Sequence, residues 1–326
     1  MLIYLLLRLF TNKRKFIEGD ELRHMATAKN FYKLWNRSFY DTHPPFYSYL
    51  MRFFFWIGYY RAGVAISLMC SVALYLISGK LYGVLGLSPA QKTIALACLT
   101  FNYTLIYYSN KAFRYQLIAF LGTSMIYFAL TQSHFLVGLC WGLLSITCSF
   151  VGLRAFWIWL INPYWISAFL FCAFYGWWLG KKLTVYSQHD YYPSGIDGKI
   201  EPMKTLTFKQ LISPLYFPWT YKYYGSNELG YDFKNWHKKI GGMFGLYQTK
   251  NNLLNVLLGI LTTFMLYFTI KGMVGAPLGL VILTLVLLYP SLLKRFLPRN
   301  SIIAIPLLCY FVAKGFPETL LNWLCR

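Results

Sequence analysis

The chain has 326 residues, of which 57% are hydrophobic and 13% are charged, and its mean hydropathy is +0.45. This composition excludes an ordinary soluble domain and predicts an integral membrane protein. The formal net charge of +21 does not indicate a nucleic-acid partner, because basic residues beside apolar spans meet the anionic headgroups of membrane lipids.

The predicted elements begin with an apolar helix over residues 1–10, which has about half the length that a bilayer requires. A polar first loop follows over residues 11–45, and its segment 20–38 has the apolar spacing of an amphipathic interfacial helix. Pro44 and Pro45 can open the next helix, since proline is tolerated in a first helical turn. We expect that helix to lie along the membrane interface before the first full span.

Further apolar stretches are long enough, or nearly so, to cross a bilayer, which takes about 20 residues of helix. They are residues 61–83, 92–108, 115–132, 134–151, 155–179, 251–270, 274–293 and 300–316. We therefore predict an all-α integral membrane protein, a bundle of about eight or nine transmembrane helices with the amphipathic first loop at its surface.

The spans divide the chain into three predicted parts. Residues 1–182 form a transmembrane module that contains the first loop, residues 183–250 are a polar loop or small subdomain, and residues 251–326 supply the last transmembrane helices. The middle part is too long for an ordinary connection between two helices. The positive-inside rule and the number of spans favour the extracytoplasmic or lumenal side for the first loop, but the rule does not decide the question because this loop is itself basic. The side of the middle part stays open.

Carboxylates are rare in this chain and are concentrated in the first loop. Only 10 residues are Asp or Glu, and four of them lie between Glu18 and Asp41, whereas the next one is Asp190. Ionised groups at a membrane boundary are costly to keep, so their clustering indicates a functional site.

Two polar clusters of the first loop carry candidate chemistry. Asp20, Arg23 and His24 lie on one face of the amphipathic helix by their i, i+3 and i+4 spacing. His43 follows Asp41 closely and precedes two prolines, which hold its backbone rigidly against the next helix. A carboxylate beside an apolar surface can act as a general base, because desolvation raises its pKa. The structural alternative is an interfacial helix whose acids only stabilise its first turn.

The order of short motifs in the first loop resembles that of the GT-C membrane glycosyltransferases, specifically the group that uses polyprenyl- or dolichyl-phosphate sugars. This group includes protein mannosyltransferases and aminoarabinose transferases. The motifs are Leu7-Arg8-Leu9-Phe10, Gly19-Asp20-Glu21, Ala28, His43-Pro44-Pro45 and Tyr47. Two later segments are similar to the family's second outward loop and to a late segment that opens a helix. They are Tyr108-Ser109-Asn110-Lys111-Ala112-Phe113-Arg114-Tyr115 and Leu297-Pro298-Arg299-Asn300 running to Ile305-Pro306.

The resemblance implies transfer of a sugar from a lipid phosphate carrier to an acceptor protein or glycolipid, with inversion at the anomeric carbon. It makes Asp20 the general base that deprotonates the acceptor, with Glu21 and His43 as the other expected catalytic residues. Glu21 could orient a donor hydroxyl or hold a divalent metal ion, although no ligand spacing indicates a metal or another cofactor. The residues expected to bind the substrate or its lipid phosphate are Arg23, His24, Lys111, Arg114, Arg154 and Arg299.

Three positions depart from the family pattern and keep other functions open. Many members carry a glutamate where Lys111 stands, an arginine where Phe113 stands and a tyrosine where Asn300 stands. One alternative is a catalytically degenerate GT-C-like scaffold or interaction subunit of a membrane complex. Another is a transporter of lipid-linked sugar, although transporters usually carry polar residues in mid-membrane helices and the predicted spans are nearly free of them. For Arg154 the plain alternative is a turn between two spans.

Overall fold

The computed structural model describes residues 1–10, 19–29, 45–188, 192–193, 200–201, 241–246, 252–292 and 301–317. Within these ranges the chain is α-helical, apart from one short 3-10 helix and one antiparallel pair of two-residue strands. The prediction of an all-α fold is therefore confirmed.

The helix bounds follow the predicted apolar stretches, with several of them divided. In chain order the helices are α1 (Leu2–Phe10), α2 (Gly19–Lys29), α3 (Phe46–Phe53), the 3-10 helix (Phe55–Ile57), α4 (Tyr59–Val84), α5 (Pro89–Phe101), α6 (Tyr103–Ser109), α7 (Tyr115–Leu130), α8 (His134–Ser145), α9 (Ser149–Arg154), α10 (Phe156–Trp159), α11 (Trp165–Gln188), α12 (Asn252–Val274), α13 (Leu278–Leu292) and α14 (Ala304–Gly315). The strands β1 (Tyr192–Pro193) and β2 (Ile200–Glu201) pair between α11 and α12.

Three predicted spans are interrupted, and local side-chain chemistry explains the first of these breaks. The stretch 92–108 is divided at Asn102, whose Oδ1 accepts the backbone N–H of Leu105 at 3.2 Å and so caps α6. The stretch 134–151 is divided between α8 and α9, and 155–179 is divided between α10 and α11. Each of these three predicted spans therefore consists of more than one helix.

The start of α5 shows how the sequence defines a helix end. Ser88 and Gln91 form a reciprocal capping box, in which the Ser88 Oγ accepts the Gln91 N–H at 3.3 Å. In return the Gln91 Oε1 accepts the Ser88 N–H at 3.1 Å. Pro89 occupies the first helical position, where its missing N–H leaves no bond unmade.

Two of the described helices, α4 and α12, are long and apolar enough to cross a membrane by length and composition. Shorter apolar helices of the described ranges include α7, α8 and α14. These findings give limited support to membrane association. They do not confirm the predicted bundle of eight or nine transmembrane helices.

The contacts divide the chain into two compact units that are discontinuous in sequence. The first unit comprises Met1–Lys13, Cys70–Asn110 and Gly225–Arg326, and the second unit comprises Arg14–Met69 and Lys111–Tyr224. The predicted division of the chain at residues 182 and 250 stays a prediction, because most residues from 183 to 250 lie outside the described ranges.

The core of the first unit is built around α14, which packs against α12, α5 and α13. Gly272 on α12 lies against the backbone carbonyl of Phe311, and Gly315 on α14 lies against the backbone carbonyl of Phe268. This reciprocal contact of glycines brings the two helix backbones together, which a side chain at either position would prevent.

The core of the second unit is a layer of three helices, in which α8 packs between α7 and α11. On α11, Phe171 stacks on Trp141 of α8 with ring centroids 4.0 Å apart. Gly138 and Gly142 on α8 face Ser167 and Phe174 of α11, so small residues again allow close helix packing.

Candidate active site

The candidate site lies in the second unit, where α2 and α3 pack against each other. Asp20 is the second residue of α2, so the proposed base belongs to the first turn of a helix. The side chains of Asp20 and Arg23 lie outside the described part of the structure, as do the whole residues His43 and Arg299. Their predicted roles therefore stay predictions.

Glu21 connects the first loop to the segment between α6 and α7. Its side chain is fully buried, and its Oε1 accepts a hydrogen bond from the backbone N–H of Ala112 at 3.0 Å. A buried carboxylate must be compensated by hydrogen bonds or opposite charge to remain ionised. This bond brings the Gly19-Asp20-Glu21 motif against the segment Lys111–Arg114, which is the second part of the family resemblance.

The segment Lys111–Arg114 presents two buried cations. Lys111 has no exposed surface, and Arg114 is 4% exposed. The Lys111 Nζ lies 5.3 Å from the centroid of the Phe113 ring, within reach of a cation–π interaction. The same stretch of backbone thus carries a lysine, an arginine and the N–H that the Glu21 carboxylate accepts.

The amino-terminal part of α4 holds this segment from the other side. The Ser67 Oγ donates to the backbone carbonyl of Phe113 at 3.0 Å, and the hydroxyls of Ser67 and Tyr47 also lie 3.0 Å apart. Gly63, one turn before Ser67, leaves room for Ala112, because a Cβ at Gly63 would lie 2.6 Å from the Cβ of Ala112. Glycine at i and serine at i+4 therefore form the surface on which the segment lies.

His24 lies on the buried side of α2, next to α3. It is 4% exposed, its Nδ1 lies 3.4 Å from the Oγ of Ser48, and its ring meets that of Tyr47 edge to face with centroids 5.1 Å apart. Tyr47 in turn donates its hydroxyl proton to the carbonyl of Gly63 at 2.8 Å. His24 is thereby linked through Tyr47 to the surface that carries Ala112.

Arg114 and Arg154 both lie close enough to Cys148 to interact with its thiol electrostatically. The Arg114 Nη1 donates to the backbone carbonyl of Thr147 at 3.2 Å, and Arg154 is 4% exposed at the end of α9. Burial raises the pKa of the Cys148 thiol, while the positive charges of Arg114 and Arg154 act to lower it. Arg154 does end a short helix, as a turn residue would, but its side chain is buried.

The structure thus brings together Glu21, Lys111 and Arg114, and it links His24 and Arg154 to them through Tyr47 and Cys148 respectively. Sequence reasoning missed four residues that hold this arrangement. They are Gly63, Ser67, Thr147 and Cys148. The available signal for the first two was their four-residue spacing as small residues on α4, a pattern that is frequent in membrane helices.

Among the described residues, no group of three or more His, Cys, Asp or Glu side chains is arranged to hold a metal ion. The prediction that Glu21 could hold a divalent ion is not tested by this observation, since most carboxylates of the chain lie outside the described ranges.

Comparison of the chain with models of protein families, with curated proteins and with solved structures finds no match. The resemblance to GT-C glycosyltransferases therefore rests on the motifs of the sequence.

Proposed function

We propose that this chain is an integral membrane glycosyltransferase of the GT-C type. It transfers a sugar from a polyprenyl- or dolichyl-phosphate carrier to an acceptor protein or glycolipid, with inversion at the anomeric carbon. The observation that supports this proposal best is the hydrogen bond between the Glu21 carboxylate and the Ala112 N–H, 3.0 Å long. It joins two segments, 91 residues apart, that resemble the first and second outward loops of the same family.

The proposal includes a multi-pass position in the membrane, with the first loop on the extracytoplasmic or lumenal side. Two helices of sufficient length support it. A second support is the surface of α12, where Leu253, Val256 and Ile260 are more than half exposed. Such a row of exposed aliphatic side chains on a helix is stable against lipid tails and costly in water.

In the proposed reaction Asp20 accepts the proton of the acceptor hydroxyl or amine. The acceptor then attacks the anomeric carbon, the bond from that carbon to the carrier phosphate breaks, and the phosphate leaves with the electron pair. The leaving phosphate needs cationic stabilisation, for which Lys111 and Arg114 are the described candidates because both are buried on one short segment. Glu21 is assigned a positioning role, since its carboxylate holds the backbone of that segment.

Lys111 gives the proposed site a preference for the charge of the sugar donor. Where many family members carry a glutamate, this chain buries a cation. A buried ammonium stabilises an anionic ligand strongly, because the surrounding dielectric is low. We therefore propose that the donor headgroup carries more negative charge than that of a simple phosphate-linked hexose.

The same lysine favours a second candidate function, that of a scaffold that keeps a GT-C-like fold without catalysis. Replacement of an acid by a buried base reverses the local charge, and a mechanism that needs that acid would then be lost. The two candidates differ in whether the Asp20 carboxylate is required for glycan modification.

The test is the variant Asp20→Asn, which keeps the shape of the side chain and removes the base. Loss of a general base lowers the rate by about 10²–10⁴-fold, so we expect loss of glycan modification in cells with unchanged membrane insertion. Glu201→Gln removes one carboxylate from β2 and serves as the matched control, with normal modification expected. Normal modification by Asp20→Asn would reject the enzymatic proposal and leave the scaffold.

A further inference from the structure

Arg8 on α1 is a buried cation of the first unit. Its side chain has no exposed surface. The Nε donates to the Oγ of Ser71 at 2.8 Å, and the Nη1 donates to the backbone carbonyls of Tyr4 at 3.1 Å and Thr100 at 3.3 Å. These bonds tie α1 to α4 and α5.

Tyr4 fixes the plane of this guanidinium. The Arg8 Cζ lies 3.3 Å from the centroid of the Tyr4 ring, and the Tyr4 hydroxyl meets the carbonyl and the hydroxyl of Ser71 at 2.6 and 2.7 Å. A guanidinium that donates to three oxygen acceptors and stacks on one ring has a defined orientation. The direction of its remaining nitrogen, Nη2, is therefore also defined.

The Nη2 of Arg8 is buried without a hydrogen-bond partner. The described residues of the first unit also include no Asp or Glu, so none of these side chains supplies a counter-charge to this cation. Arginine cannot release its proton in a protein. A buried charge with an unsatisfied donor is unfavourable unless an anion compensates it.

We propose that the Nη2 of Arg8 binds the phosphomonoester group of a lipid. Arginine is suited to phosphate because its planar array of donors matches the oxygen geometry. Lipid is available at this place, because α1 exposes Leu2, Ile3 and Leu6 on its outer side. Nη2 has no open surface, so the proposal includes a local shift of α1 that admits a phosphate oxygen. This inference requires a membrane location and does not depend on glycosyl transfer.

The experiment measures lipid binding to the purified full chain in detergent by native mass spectrometry. The probes are phosphatidic acid, a polyprenyl monophosphate, inorganic phosphate as a competitor, and phosphatidylcholine as the reference lipid. We expect the wild-type chain to bind at least one of the two phosphomonoester lipids more tightly than phosphatidylcholine. Arg8→Gln should reduce that affinity by about tenfold or more, because a hydrogen bond to a charged group is lost.

Arg61→Gln is the matched control, since it removes the same charge from an exposed residue of α4 and should leave the affinity unchanged. Preference for the polyprenyl monophosphate identifies a carrier-type lipid, equal binding of both lipids identifies a general headgroup site, and competition by inorganic phosphate shows that the phosphate alone suffices. Each of these outcomes supports a phosphate site.

No preference of the wild-type chain over phosphatidylcholine, or an equal loss in both variants, overturns the proposal. If Arg8→Gln does not insert into the membrane, the lipid preference of the wild-type chain and the variant Arg8→Lys decide the question. Arg8→Lys should bind the phosphomonoester lipids more weakly than the wild-type chain, because lysine cannot supply the Nη2 donors.

Discussion

The carboxylate of Glu21 and the backbone N–H of Ala112 form a buried hydrogen bond of 3.0 Å between a helix of the first loop and the segment that precedes α7. Two cations, Lys111 and Arg114, lie on either side of Ala112 and are buried as well. Because Asp20 is the chain neighbour of Glu21, any displacement of this bond moves the proposed base relative to the cations.

Removing the Glu21 carboxylate should destabilise the protein through the donor that it leaves behind. Glu21→Ala leaves the buried Ala112 N–H unsatisfied, which costs about 1–3 kcal/mol. Glu21→Gln retains an acceptor oxygen and should cost less. Thermal unfolding in detergent tests this order, and equal stability of the two variants would show that the bond with Ala112 contributes little.

Gly63 should tolerate no side chain while Ala112 keeps its own. In Gly63→Ala the new Cβ would lie 2.6 Å from the Cβ of Ala112 and 3.1 Å from the Cε of Met51, and overpacking of this kind costs about 1–3 kcal/mol. Ala112→Gly removes the nearer of these two atoms. The double variant should therefore be more stable than the sum of the two single effects predicts, and strict additivity would argue against direct contact.

The contact between α12 and α14 predicts that replacing a glycine by alanine has different effects on stability at different positions of these two helices. Gly272→Ala and Gly315→Ala each place a Cβ against a backbone carbonyl, of Phe311 and Phe268 respectively, so both should lower the midpoint of thermal unfolding. Gly259→Ala on α12 is the control, because nothing lies within 4 Å of its added Cβ. Alanine should be neutral there or stabilise the helix by up to about 1 kcal/mol. Equal effects at all three positions would contradict this packing.

The Cys148 thiol should react slowly while the chain is folded. Burial raises its pKa from the ordinary value of 9.0, so the folded thiol stays protonated at pH values where the unfolded thiol ionises. Alkylation at pH 9, followed by mass spectrometry of the Cys148 peptide, should be slower in the folded chain than in denaturant.

The raised pKa of the Cys148 thiol also determines in which direction the stability of the protein changes with pH. The contribution of the Cys148 thiol to the free energy of unfolding is fully present below pH 9.0, the ordinary pKa of the thiol. It is lost as the pH rises through the pKa of the folded state. Cys148→Ala should therefore lose less stability than the wild-type chain between neutral and alkaline pH. A steeper alkaline loss in the variant would mean that the thiol ionises more readily in the folded chain.

Local sequence was sufficient for the helices and several of their ends. Apolar stretches predicted α4, α7 and α12 closely, because a run of apolar residues without breakers has one stable local conformation in a membrane-like core. It failed at Asn102, where a side-chain cap ends one helix and begins another. Asn102 also donates to the carbonyl of Met243 at 2.7 Å, a partner that no local pattern identifies.

The sequence by itself determined which residues are chemically unusual, since a carboxylate or a cation in an apolar chain is visible in its composition. It could identify Glu21, Lys111 and Arg8 as residues that need partners. Only the tertiary structure decided what those partners are. Glu21 is bound to a backbone N–H 91 positions away, and Arg8 reaches Thr100 over 92 positions. Hydrogen bonds act over about 3 Å in space and carry no trace in local sequence periodicity, so the fold has to bring their atoms together before they can be recognised.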